Sequence, residues 1–443
     1  MYVAMVSLGC AKNLIDSEVM ISILKNENYE VITDPKLADI IIINTCGFIE
    51  KAKQESIDTI IEMGQYKEFG KCKVLIATGC LSERYKEELL KEMPELDAVI
   101  GTGDYKSIAE VIGQSLEGKK VSLYGNQEKV DIDVLDRYVS TAKHTSYLKI
   151  AEGCDNKCTY CIIPSLRGKY RSRKFDEIIK EAELLASKGT KELIVIAQDT
   201  SVYGRDLYGK LMLPKLLREI SKIQGIEWIR LMYAYPDEFT DELIHTMASE
   251  KKICKYIDIP IQHGSNSILK LMGRYTTKEK IADLLAKLRQ AIPNIAIRTT
   301  FIVGFPGENE ESFEEMVDFI KKSEFDKMGV FTYSREEGTP AYKLPYQIGE
   351  DIKLQRQEVL MTLQMDISLK KNKSCVGKIL KVLVEDFEDD QYLGRTYRDA
   401  PEIDGLVYFS SNRKIEIGDF VDVLITDATD YDLLGENIDE HSK

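Results

Sequence analysis

The chain is predicted to be an α/β protein built from three units. These are an N-terminal parallel α/β domain over residues 1–125, a central partial (β/α)6 barrel over 141–373 and a small C-terminal antiparallel β-barrel over 374–443, with a connector at 126–140. Three observations predict this. Short apolar runs alternate with helical segments up to about residue 125, the alternation resumes six times after residue 141, and only short strand-like runs follow Cys375. Unbroken apolar strands between helices mark a parallel sheet covered on both faces.

The size and composition agree. The 443 residues suffice for about three domains of ~150 residues. At 44% hydrophobic and 30% charged, the chain is neither disordered nor fibrous. Sixty Lys and Arg stand against 74 Asp and Glu, a net charge of −14, which argues against a protein that blankets nucleic-acid phosphate. Nine cysteines are too few for a disulfide-rich secreted fold, and their clustering points to metal or redox chemistry in a reducing compartment. No run of about eighteen apolar residues and no signal-peptide core is present, so a cytoplasmic protein without membrane spans is expected.

In the first unit, strands are expected at Tyr2–Leu8, Asp39–Asn44 and Lys73–Ala77, and helices at Asp16–Asn26, Glu50–Tyr66 and Arg84–Glu92. A cysteine follows each strand: Cys10 after Gly9, Cys46 before Gly47 and Cys80 after Gly79. Ligands of open α/β sheets sit at the carboxyl ends of strands. A lone cysteine is usually a small buried hydrophobe, but three at equivalent positions are read as a site for one metal cluster. Cys72 has no such placement and is read as structural or surface. The connector is acidic and weakly periodic.

The central unit is expected to place strands near Tyr147–Ala151, Leu193–Ala197, Trp228–Tyr233, Tyr256–Pro260, Ala296–Val303 and Met328–Tyr333. Chemistry belongs at their carboxyl ends. Directly after the first strand stands Cys154-Asp155-Asn156-Lys157-Cys158-Thr159-Tyr160-Cys161, a C-x3-C-x2-C spacing. Three thiolates on one loop suit a cubane cluster whose fourth iron stays open. Zinc would need a second Cys pair or a nearby His, and neither is there.

This spacing after the first strand of a six-unit barrel resembles the radical S-adenosylmethionine (SAM) superfamily. The resemblance implies a 4Fe–4S cluster on Cys154, Cys158 and Cys161, with SAM bound at its open iron. Tyr160 matches the superfamily's aromatic between the second and third Cys. The Gly-Gly-Glu element after the second strand is replaced by Ala197-Gln198-Asp199-Thr200. Gln198 and Asp199 are therefore candidate SAM contacts, together with Tyr160 and two residues read as strand-end positions, Gln262 and Arg298. His263 is read equally as a site residue or a structural one.

A long helix, Gly349–Lys373, is expected to lay Leu354, Leu360, Leu363 and Met365 against the barrel. Beyond it, strands at Ile379–Val384, Gly405–Phe409 and Phe420–Thr426 suggest an OB-like module of roughly five strands. Cys254 and Cys375 are read as structural. The order of the three units is similar to that of the radical SAM methylthiotransferases, over essentially the whole chain. The resemblance implies a second 4Fe–4S cluster on Cys10, Cys46 and Cys80, a TRAM-like C-terminal module, and an electron donor such as flavodoxin or ferredoxin.

Members of that family divide by substrate. Ser7-Leu8-Gly9-Cys10-Ala11-Lys12-Asn13 is similar to members that modify the β-carbon of an aspartate in the small-subunit ribosomal protein S-twelve, whereas tRNA-modifying members read Gly-Cys-Gln there. Charge argues the same way: from Cys375 onward seven Lys and Arg face seventeen Asp and Glu. Such a surface repels phosphate and attracts a basic protein, so nucleic acid is expected only through the ribosome. A tRNA adenosine methylthiotransferase is the alternative. A non-catalytic iron–sulfur electron carrier or RNA-binding module is a further one.

Overall fold

The computed structural model describes residues 1–127, 132–133 and 137–438. Six parallel strands form the N-terminal sheet: β1 (Tyr2–Ser7), β2 (Glu30–Ile32), β3 (Ile40–Thr45), β4 (Val74–Gly79), β5 (Ala98–Ile100) and β6 (Val121–Leu123), in the order β2-β1-β3-β4-β5-β6. The run of four isoleucines in β3 is two-faced. Ile40 and Ile42 pack under Val19, Met20 and Ile112, while Ile41 and Ile43 pack under Ile60, Leu81 and Leu89. Burial on both faces is why this strand reads as a continuous apolar run. The three-residue strands β2, β5 and β6 are too short to carry a period, and the sequence reading missed them. The expected helix Arg84–Glu92 is instead two, Cys80–Tyr85 and Glu87–Glu92, broken at Lys86, whose φ is 50°.

Six parallel strands also form the central half-barrel: β7 (Thr145–Lys149), then, after the short antiparallel pair β8 (Ala151–Glu152) and β9 (Arg171–Ser172), β10 (Glu192–Ile196), β11 (Trp228–Leu231), β12 (Ile253–Asp258), β13 (Ala296–Val303) and β14 (Lys327–Thr332). Their spatial order is β14-β13-β12-β11-β10-β7. Alternate residues of each strand face opposite ways. Leu193 and Val195 pack under the outer helices, while Ile194 and Ile196 point to the concave face. That face is filled from both sides: Ile15 of the first helix, Ala11–Asn26, enters from the N-terminal unit, and Leu383 and Ala400 enter from the C-terminal one.

The C-terminal unit is a closed barrel of β15 (Ile379–Glu388), β16 (Gln391–Thr396), β17 (Val407–Ser410), β18 (Phe420–Ala428) and β19 (Leu433–Asn437), ordered β15-β16-β17-β19-β18. It is antiparallel except where β17 and β19 pair in parallel. Buried ion pairs join it to the half-barrel. Glu192, fully buried, accepts from Arg230 at 2.8 Å and Arg395 at 2.6 Å, and Lys327 meets Asp399 at 2.7 Å.

One expectation needs partial correction. In the long helix Glu350–Lys373, Leu354 is 55% exposed, and the inward face is largely polar. Leu360 joins the half-barrel core and Leu363 packs against it as expected, but Lys353 donates to the Tyr333 carbonyl and Gln364 to the Phe325 carbonyl, because the helix also covers open backbone flanking the last strand. The connector falls partly outside the described residues (128–131 and 134–136). Its described end is firmly held: Arg137 is buried between Glu18 and Glu181, linking the first helix to the half-barrel. Asp439 and Glu440, two of the seventeen acids counted from Cys375 onward, also lie outside the described residues.

Candidate active site

The N-terminal cysteines meet because three strand ends converge. Cys10 follows β1 and caps the helix Ala11–Asn26, Cys46 follows β3, and Cys80 opens the helix Cys80–Tyr85 directly after β4. β1, β3 and β4 are neighbours in the sheet, so their carboxyl ends stand side by side. The packing demands glycine twice. A Cβ on Gly9, whose φ is +86°, would stand 2.9 Å from the Cys46 Cβ, and one on Gly47 would stand 2.8 Å from the Cys80 carbonyl.

Asn13 ties the three loops together. Its amide donates to the Leu8 carbonyl at 3.1 Å and the Thr45 carbonyl at 3.0 Å, and its side-chain oxygen faces the Cys80 sulfur at 3.7 Å. Its neighbour Lys12 lies 3.3 Å from the ring centre of Tyr233 in the half-barrel. The Lys-Asn pair that stood out in the sequence is thus a hub for one site and a contact to the next unit.

Electrostatics differ among the three thiols. Close packing raises Cys10, but the Lys12 and Arg167 cations outweigh it and leave the thiol below its ordinary value. Burial pushes Cys46 up to about 12, reinforced by the charges of Cys80 and Cys10. Burial also raises Cys80, opposed by Arg167.

The second set lies on the loop after β8. Gly153 turns the chain with a φ of +80°, and a Cβ there would strike the Lys169 carbonyl at 2.1 Å. Thr159 N–H donates to the Met272 carbonyl at 2.9 Å, and its own carbonyl accepts from Ala341 at 2.9 Å, so the loop is clamped on two sides. Asp199, 2% exposed, accepts from Asn156 of the loop at 2.9 Å and from Ser201. Burial raises Asp199 above the ordinary carboxylate value. Desolvation likewise pushes Cys154 up to about 12. Tyr235 and Arg274, which sequence reading did not find, flank Cys158: the Tyr235 hydroxyl lies 3.8 Å from its sulfur, and the Arg274 guanidinium lies 3.9 Å from the Tyr235 ring centre.

The five SAM candidates separate in space. Tyr160 meets Phe305 edge-on at 6.5 Å beside the cysteine loop. Gln198 donates to Glu152 at 2.5 Å, and its side-chain oxygen is buried without a partner, an open acceptor at the end of β10. Asp199 is fixed to the loop as described. Gln262 follows β12 with a φ of 78° and pairs its backbone with Thr300 and Ile302. Arg298 departs from its strand-end reading. It is the third of eight residues in β13 and is engaged by Asp258 at 3.2 Å and by Asp404 of the C-terminal barrel at 3.4 Å. His263 is structural: it is fully buried between Glu308 and the Ser265 N–H.

A cavity of about 280 Å³ opens beside the loop, lined among others by Cys154, Asn156, Tyr170, Asp199 and Arg205. Among the described residues no three His, Cys, Asp or Glu side chains close on a single metal ion. Cys72, Cys254 and Cys375 are buried in three separate apolar clusters.

A six-stranded parallel half-barrel with C-x3-C-x2-C at the end of its first strand defines a radical SAM enzyme. The family model described as the Radical SAM superfamily matches residues 148–320; the TRAM domain matches 376–438, and the Uncharacterized protein family UPF0004 matches 2–101. The chain belongs to the radical SAM methylthiotransferase family. It is 57% identical, over 98% of this chain and 99% of the relative, to the ribosomal protein uS12 methylthiotransferase RimO of Thermoanaerobacter sp. (strain X514). It is 53% identical, over 98% of each chain, to the protein of that name from Clostridioides difficile (strain 630). Among solved structures it shares its fold with the radical SAM methyltransferase TsrM of Kitasatospora setae, at a TM-score of 0.58 and 15% identity, over 86% of this chain and 80% of that one.

Proposed function

We propose that this chain inserts sulfur and a methyl group at the β-carbon of an aspartate of ribosomal protein uS12. One observation carries the reading: two separate three-cysteine sets lie at the carboxyl ends of two parallel sheets within one chain. In this reading Cys154, Cys158 and Cys161 hold the 4Fe–4S cluster that binds SAM, and Cys10, Cys46 and Cys80 hold a second. The β-carbon hydrogen of aspartate is not acidic enough for any protein base at neutral pH, and a polar methyl donor finds no nucleophile there. The bound cofactors supply the radical chemistry that removes it.

The chain's own residues bind, orient and exclude water. Asp199 fixes the cysteine loop through Asn156, and Gln198 offers its unpartnered oxygen to a donor such as the SAM ammonium. Tyr160, half-buried on the loop, packs edge-on against the buried Phe305. The C-terminal barrel receives the substrate: at its β15–β16 turn Glu388, Asp389 and Asp390 are exposed beside a half-exposed Phe387, a combination suited to a basic protein rather than to RNA. A flavodoxin or ferredoxin supplies electrons, and the enzyme works in the cytoplasm, where ribosomes are made. Among the described residues no helix is long and apolar enough to cross a membrane. The units fall at 1–125, 141–373 and 374–443.

The test is reduction of the anaerobically reconstituted protein with SAM and purified uS12. Release of 5′-deoxyadenosine together with a methylthio-aspartate in uS12 is expected. No 5′-deoxyadenosine at all would refute the radical reading.

A further inference from the structure

Arg167 belongs to neither cysteine set. It ends the short helix Ile163–Arg167, six residues after Cys161, and so is part of the half-barrel. Yet its guanidinium points into the N-terminal site and is 3% exposed. One terminal nitrogen donates to Asp16 at 2.6 Å and lies 3.4 Å from Glu152; the other donates to the Asn13 side-chain oxygen and to the Cys80 sulfur at 3.6 Å. Lys149 completes the group, 2.7 Å from Asp16 and 2.8 Å from Glu152.

The charge balance of this group is informative. Two buried cations, Arg167 and Lys149, already match two buried carboxylates, Asp16 and Glu152. The ammonium of Lys149 is spent on the carboxylates, whereas Arg167 keeps one arm for Asn13 and sulfur. Only a planar fork with several donors can serve both at once. A buried cation that answered the carboxylates alone would need no second arm toward Cys80.

We propose that Arg167 is a positioning residue for the N-terminal site: it donates to Cys80 and favours the reduced state of the cluster held there. This rests on the reading that Cys10, Cys46 and Cys80 hold a 4Fe–4S cluster. Reduction adds one electron, and thus one negative charge, without making or breaking a covalent bond. A fixed cation and an N–H to sulfur both stabilise that charge, and hydrogen bonds to cluster sulfurs are a recognised lever on potential. Because Arg167 comes from the loop region that follows the second cysteine set, the N-terminal site is complete only when the two units are docked.

The experiment uses the full chain with Cys154, Cys158 and Cys161 replaced by Ala, reconstituted anaerobically so that only the N-terminal cluster remains. Its midpoint potential is read by electron paramagnetic resonance during titration with dithionite. R167Q is expected to shift the midpoint to a more negative potential at unchanged iron content, with R167K shifted less. An unchanged midpoint in both variants, with iron retained, overturns the proposal and leaves Arg167 as a clamp between units. If R167Q loses iron, R167K, which keeps the charge, decides by the same criterion. Iron lost from both variants overturns the redox role and leaves Arg167 as a structural support of the site. No iron in the triple-Ala background itself overturns the cluster reading beneath it, which separates the two failures.

Discussion

Gly9 lies so close to Cys46 that a single methyl group on it would stand 2.9 Å from the Cys46 Cβ and 3.1 Å from its sulfur. Gly9 also holds a φ of +86°, where a side chain is strained whatever the space. Gly9→Ala is therefore expected to displace Cys46 and cost the protein about half its iron, the share of one cluster of two. SAM cleavage, which depends on the separate second loop, should persist. Iron analysis and 5′-deoxyadenosine measurement on the same sample check both halves.

Replacing the cysteines themselves separates the two sites. With Cys154, Cys158 and Cys161 changed to Ala, one cluster and all SAM cleavage should disappear. With Cys10, Cys46 and Cys80 changed to Ala, the other cluster should disappear, SAM cleavage should remain and methylthio transfer should stop. Iron content unchanged in the first triple variant would exclude that loop as a cluster site.

Much of this was legible in the sequence because parallel strands advertise themselves. The isoleucines of β3 and the cysteine immediately after it gave both the sheet and the site. The C-x3-C-x2-C loop was legible for the same reason, since its ligands are local in sequence. What escaped was non-local. Arg167 meets Cys80, 87 positions earlier, and nothing in either residue's neighbourhood announces the other. Arg274 and Tyr235 reach Cys158 from separate elements in the same way. Arg298 looked like a free strand-end cation because its partner Asp404 lies 106 positions away in another unit. The polar inner face of the helix Glu350–Lys373 was hidden because its partners are backbone carbonyls, which have no sequence signature.

The ion group joining the half-barrel to the C-terminal barrel predicts a pH dependence. Burial pushes the Glu192 carboxyl up, but the Arg395 and Arg230 guanidiniums outweigh it and hold it at about 2. A folded-state value below the unfolded value of about 4.3 means the carboxylate stabilises the fold above that pH. The contribution is lost as pH falls from about 4.3 toward 2. Thermal unfolding temperature should decline across that window. Glu192→Gln should destabilise the protein at pH 7 by about 3–5 kcal/mol, because it leaves the Arg230 guanidinium buried without its counter-charge and Arg395 with Glu385 alone. It should also flatten the acid limb of the profile, which thermal melts from pH 2 to 7 would reveal.

The acidic turn of the C-terminal barrel should set the rate of substrate encounter. Asp389 and Asp390, with φ of 49° and 61°, form the tight β15–β16 turn that holds their carboxylates out beside Glu388. Changing Glu388, Asp389 and Asp390 to Lys should slow association with uS12 by about tenfold at low salt. The difference should shrink above 0.1 M salt, where charges more than about 10 Å apart are screened. Binding kinetics for wild type and variant, against uS12 and against bulk tRNA, measure it. Tighter binding of the wild type to tRNA would favour the nucleic-acid alternative.

Product counting in a single reconstituted reaction tests the central claim most directly. The reduced enzyme is supplied with SAM, sulfide and purified uS12, with tRNA in a parallel reaction, and the products are resolved by mass spectrometry. The account predicts one methylthio group on one aspartate of uS12, accompanied by equal amounts of 5′-deoxyadenosine and S-adenosylhomocysteine, and no modified adenosine in tRNA. A methylthio-adenosine in tRNA with uS12 unchanged, or a modified uS12 formed without any 5′-deoxyadenosine, would contradict it.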